Sequence, residues 1–206
     1  MKAWESNIRK VEPYVPGEQP KVQDVIKLNT NENPYGPSEN VRKAMEAIDI
    51  DRCRLYPDPD VTKLVKSIAD YYGMDNNQVF VGVGSDDVLS MCFLTFFNGK
   101  KPVLFPDITY SFYSVWADLY RIPYEKQKLD DNMKIVPEDY YKENGGVIFP
   151  NPNAPTGLLM DLDSVRDIIE HNKDVVVIVD EAYIDFGGVS ALSLIHISEP
   201  TRRVVI

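Results

Sequence analysis

The run QVFVGVG ends in Gly84 and leads straight into Ser85, Asp86 and Asp87, which open a helical stretch. A glycine at that join lets the backbone come close to a ligand. The outward-pointing amides of Ser85 and Asp86, with the helix dipole behind them, form a cup for an anion such as phosphate. The alternative is an ordinary capped helix, with Ser85 or Asp86 as N-cap. Two aspartates are compatible with a bound phosphate if the backbone does the binding and the carboxylates turn toward the helix's own first amides. A second candidate is Asp180, which closes the apolar run VVVIVD. A carboxylate at such a strand end can hold magnesium in a nucleotidase, or keep the nitrogen of a pyridine cofactor protonated so that the ring accepts electrons. The nucleotidase would need a phosphate loop G-x-x-x-x-G-K-[ST]. The only Gly-Lys pair, Gly99 and Lys100, is followed by Lys101 and has no glycine at the required distance upstream. Tyr110, after PVLFP, either stacks on a flat cofactor or packs as an ordinary aromatic. NPNAPTG, residues 151–157, is a turn by composition, yet it too follows a strand-like run. The set carries the functional reading: cup, aromatic, Asn-Pro-Gly loop and carboxylate each follow a different apolar run.

The elements that must position these groups alternate. A Pro-, Asn- and Gly-rich arm, residues 1–37, leads into a helix opened by Ser38 or Glu39. After PDPD, residues Val61, Leu64, Val65, Ile68, Ala69 and Tyr72 recur at spacings of three and four, which predicts a helix with one apolar face, ended by Gly73. Then come QVFVGVG, DDVLSMCFLTFF, PVLFP, YSFYSVWADLY, GGVIFP, DLDSVRDIIEHN and VVVIVD, read as strand, helix, strand, helix, strand, helix, strand. The stretch between Arg121 and Asn144 is expected to hold a further strand and helix. The fold class is therefore α/β, a mostly parallel sheet with helices on both faces, with ligands at the carboxyl ends of the strands.

Composition narrows the partners. A net charge of -10 without a basic cluster argues against nucleic acid, so the ligand is expected to be a small molecule. No apolar run approaches the ~20 residues of a membrane span, and the N-terminus lacks the apolar core of a signal peptide. A cytoplasmic location is expected. Cys53 and Cys92, with only His171 and His196 beside them, show no zinc spacing and fit a reducing compartment.

LNTNENPYGPS, LYPDP, GVGSDD, FPDITYSFY, NPNAPTG and VVVIVDEAYIDF occur in the order found in histidinol-phosphate aminotransferases, and from about Val25 to Phe186 the chain resembles that family. The resemblance implies the large domain of the aspartate-aminotransferase-like fold and the cofactor pyridoxal 5'-phosphate (PLP). In the implied site, Gly84, Ser85 and Asp86 hold the cofactor phosphate, Tyr110 stacks on the pyridine ring, Asp180 pairs with the ring nitrogen and Tyr183 meets the ring hydroxyl. Tyr56 would reach the cofactor of the neighbouring subunit in a homodimer, and Tyr35 and Gly36 would contact substrate. The family loop often reads N-P-N-N-P-T-G, and here Ala154 stands where the asparagine before Pro-Thr-Gly reaches the ring hydroxyl. Either Asn153 substitutes or Tyr183 carries that contact alone.

The implied reaction is transamination of histidinol phosphate with 2-oxoglutarate in histidine biosynthesis. Aromatic aminotransferases and threonine-phosphate decarboxylase share the same features, and a non-catalytic PLP-binding module is a further alternative. The reaction needs a Schiff-base lysine, which the family carries well after the DEAY motif. No lysine follows Asp180; the last is Lys173. The segment LSLIHISEPTR, Leu192 to Arg202, resembles a translated sequencing adapter rather than protein. The expectation is thus a partial PLP-binding domain over residues 38–191, a non-native tail over 192–206, a missing small C-terminal domain and no activity in the chain alone.

Overall fold

The computed structural model describes residues 5–6, 8–9, 11, 17–18, 21, 26–195 and 203–205. Most of the expected arm before residue 26 lies outside them, as do residues 196–202 and 206 of the expected tail. The chain divides into two compact units, Val15–Val81, and Met1–Tyr14 with Gly82–Ile206.

The second unit holds a five-stranded parallel sheet in the order β2-β1-β3-β4-β5. Its strands are β1 (Val103–Pro106), β2 (Tyr124–Gln127), β3 (Gly146–Pro150), β4 (Val177–Asp180) and β5 (Arg203–Val205). Every residue of β1, β3 and β4 is buried, because a parallel sheet covered on both faces has no wet side. Alternate side chains supply the two cores. Val103, Phe105, Ile148 and Ile178 pack with Leu89, Cys92 and Phe93 of α3 (Ser85–Phe96) and with Tyr113 and Ala117 of α4 (Phe112–Tyr120). Leu104, Val147, Phe149, Val177 and Val179 pack on the other side with Val165, Ile168 and Ile169 of α5 (Leu162–His171), joined by Ala191 and Leu194. The α/β class with helices on both faces is what forms. Burial pushes the Cys92 thiol up to about 11, so it is a neutral core group.

Two expectations change. Residues 79–84 form no strand, and Phe80 and Val83 are exposed. Apolar composition favours extension, but a strand needs a neighbour for its backbone groups, and among the described residues none pairs with this segment. Between Arg121 and Asn144, the strand is β2, but the expected helix is only the 3-10 turn Pro137–Tyr140.

At the start of β3, Gly146 has φ +149°, and a Cβ there would lie 2.3 Å from the Phe97 ring. Gly146→Ala combines backbone strain with overpacking, and a loss of about 2–4 kcal/mol in urea unfolding is expected. A loss under about 1 kcal/mol would show that Phe97 can yield.

The unit Val15–Val81 contains α1 (Glu39–Glu46), which follows Ser38 as expected, and α2 (Thr62–Tyr72). Gly73 ends α2 at φ +67°, where the left-handed backbone suits a residue without Cβ. Of the predicted apolar face only Ala69 is buried, Val65 and Ile68 are half-buried, and Val61, Leu64 and Tyr72 are exposed.

Candidate active site

The loops after β1, β3 and β4, three neighbouring strands, meet the start of α3 at the carboxyl edge of the sheet. Gly84 is the N-cap of α3 at φ +90°, and no side chain caps that helix. The capped-helix alternative is therefore not what forms: Ser85 is the first helical residue, and the first-turn amides face outward without a side-chain acceptor. The expected turn of the carboxylates toward those amides is also replaced. Asp86 Oδ1 accepts from the Tyr110 hydroxyl at 2.5 Å, and Asp87 Oδ2 accepts from the Val83 amide at 2.9 Å. Each carboxylate thus has its donor elsewhere, and neither caps the first-turn amides of α3.

Asp180 ends β4 in register with Pro150 of β3. It is 4% exposed. Its Oδ2 accepts from the Tyr113 hydroxyl at 2.7 Å and its Oδ1 from the Ala182 amide at 3.2 Å. Burial raises its pKa above the ordinary 3.8, the two hydrogen bonds oppose that, and the nearby Asp86 adds to it. A carboxylate kept this dry is poised to pair with a cationic or N–H group of a ligand.

Asn153 is 2% exposed, and its side chain ties two loops together. Its Oδ1 accepts from Thr109 at 3.0 Å and its Nδ2 donates to the Ile108 carbonyl at 3.0 Å, joining the loops after β1 and β3. Asn151 does similar work within its own loop, exchanging bonds with Met160 through Nδ2 (3.2 Å) and Oδ1 (2.8 Å), while its amide donates to the Asp180 carbonyl at 2.8 Å. Tyr183, half-buried, lies three residues past Asp180. Tyr35, Gly36 and Tyr56 belong to the other unit and are exposed.

Sequence reasoning missed Tyr113, Thr109 and Asn151. The one available signal was spacing: Tyr113 falls three residues after Tyr110, and the two rings meet edge to face at 5.8 Å and 80°.

Residues 23–202 match the model of the family described as aminotransferase class I and II. The chain belongs to the class I and II aminotransferases. A histidinol-phosphate aminotransferase of Clostridium beijerinckii is 54% identical over 195 residues, which cover 95% of this chain and 54% of that protein. This aminotransferase chain thus spans about half the length of the curated relatives it matches. The solved histidinol-phosphate aminotransferase of Clostridium acetobutylicum superposes with a TM-score of 0.66 at 26% identity, over 76% of this chain and 47% of that one. The enzyme of that name from Sinorhizobium meliloti, solved with pyridoxal-5'-phosphate, shares the fold at a TM-score of 0.69 and 20% identity, over 76% and 44%. Among the described residues no helix is long and apolar enough to cross a membrane.

Proposed function

We propose that this aminotransferase chain is the PLP-cradling part of a histidinol-phosphate aminotransferase, which moves an amino group between histidinol phosphate and 2-oxoglutarate. The observation that carries the reading is Asp180, a desolvated carboxylate fixed at the sheet edge next to an uncapped helix N-terminus. That donor set fits PLP: amides for its phosphate, a buried carboxylate for its pyridinium N–H, an aromatic for its ring. PLP, when bound, supplies an electron sink for the substrate's amino carbon. In our reading the amides of Ser85 and Asp86, beyond Gly84, bind the phosphate, Asp180 holds the proton on the ring nitrogen, and Tyr110 lies against the ring. Tyr183 is the donor we assign to the ring hydroxyl, because Asn153 is buried and spends its oxygen and one N–H tying two loops together. We further propose that the parent protein is a cytoplasmic homodimer, with Tyr56 reaching the neighbour's cofactor and Tyr35 and Gly36 touching substrate. Identity of 54% to a protein of that name supports the substrate assignment.

Two measurements test this. The full-length gene product should prefer histidinol phosphate over phenylalanine as amino donor, and the opposite preference overturns the substrate. Borohydride reduction of this chain with PLP should leave no stoichiometric adduct at one lysine, since none follows Asp180. A specific adduct would contradict the assignment of the cofactor site.

A further inference from the structure

The geometry points to Tyr113 as a positioning residue for the reaction, a buried phenol that donates to Asp180 Oδ2 and aims that carboxylate's remaining lone pairs at the ligand. It rests on the reading of Asp180 as the partner of the cofactor ring nitrogen.

Tyr113 is 0% exposed, and its hydroxyl meets Asp180 at 2.7 Å across 67 residues of sequence. Rings fix it on three sides: Phe93 at 6.2 Å, Phe105 at 5.9 Å and Tyr110 at 5.8 Å. A phenol so confined has little rotational choice, so the direction of its O–H is set by α4 and β1, not by solvent. Burial first, then the charge of Asp180, pushes its own ionisation well up, so it acts as a donor and never as a competing anion.

The need for such a donor follows from what surrounds the carboxylate. Asp86 on α3 bears like charge toward it, and burial alone favours the neutral acid. A neutral Asp180 could not hold a proton on a ring nitrogen. Tyr113 and the Ala182 amide are the donors that favour the charged form, and of the two only Tyr113 can be changed by substitution without altering the backbone. The same bond occupies one lone pair of Oδ2 and so selects which remain for the ligand.

Tyr113→Phe removes the hydroxyl and keeps the ring. In the cofactor-free chain, carbon-13 carboxyl NMR, with the Asp180 signal identified by its loss in Asp180→Asn, should show Asp180 about tenfold less acidic in the variant. An unchanged titration with circular dichroism like that of the unsubstituted chain means that Tyr113 only packs, and the proposal falls. If Tyr113→Phe does not fold, 3-fluorotyrosine at 113 replaces it. That stronger donor should make Asp180 more acidic, and no change again overturns the proposal. Equilibrium dialysis with nitrogen-15 PLP separates this from the cofactor reading. Failure of the unsubstituted chain to bind PLP sinks that reading while leaving the Asp180 result standing. If PLP binds, the ring should be less protonated at nitrogen in Tyr113→Phe than in the parent chain, and equal protonation counts against the positioning role.

Discussion

Replacing Asp180 with asparagine is expected to lower transamination by the full-length protein by roughly 10²–10³-fold, the usual cost of removing one preorganised electrostatic group. The amide fits the same space but offers a single acceptor oxygen, so only one of Tyr113 and the Ala182 amide keeps its bond, and the pyridinium we assign to Asp180 loses its counter-charge. Relative to the parent, the same substitution should gain stability in the cofactor-free fold as pH rises toward neutral. The sign follows from burial. Asp180 has a folded pKa raised above 3.8, so in the window between its unfolded and folded values the folded state holds a proton that the unfolded state has lost. Stability contributed by that proton is present below 3.8 and is lost as pH rises through the folded value. Asparagine has no such proton to lose. In urea unfolding, the variant's stability relative to the parent should be lowest below pH 3.8 and rise toward neutral pH. A difference independent of pH would mean that Asp180 is not held in a dry site. Glu181 is raised by burial too, held by the Ser190 hydroxyl at 2.5 Å and the Ala191 amide at 2.6 Å, and it contributes a background slope of the same sign in both proteins.

The edges of this site were legible because punctuation residues mark them. Gly84, the Pro and Asn of 151–157 and the terminal Asp180 each follow an apolar run, and β1, β3 and β4 read as runs because both faces of each are covered. The segment 79–84 shows the limit of that signal. Composition reports a preference for extension, whereas a strand is a relation between two segments, and no sequence pattern names the partner. Tyr113 shows the same limit for side chains. On the face FYSVW a tyrosine reads as core, and it is core; what makes it more is a hydroxyl 2.7 Å from a residue 67 positions away. Asn153 reads as a turn former and a ligand donor alike, and only its bonds to Ile108 and Thr109 show it as a tie between loops.

Phe105→Ala should cost about 3–5 kcal/mol, a large share of the 5–15 kcal/mol that holds a typical domain together. Phe105 is 1% exposed at the centre of β1, its ring 5.1 Å from Tyr124 at 25° and 5.9 Å from Tyr113 at 67°. Truncation leaves a cavity between β1 and α4 that rigid neighbours cannot close. The cost has a second reading at the site, because the Phe105 ring is one of the walls that confine Tyr113. Phe105→Leu fills most of the space and should lose less stability, yet it no longer offers an aromatic edge to Tyr113. If that contact fixes the Tyr113 hydroxyl, Asp180 in Phe105→Leu will titrate between its values in the parent chain and in Tyr113→Phe. If only the hydrogen bond to Asp180 matters, Phe105→Leu will titrate like the parent while still unfolding at lower urea. The core under the sheet edge and the acidity of its carboxylate are then read in one variant, through unfolding for the first and NMR for the second.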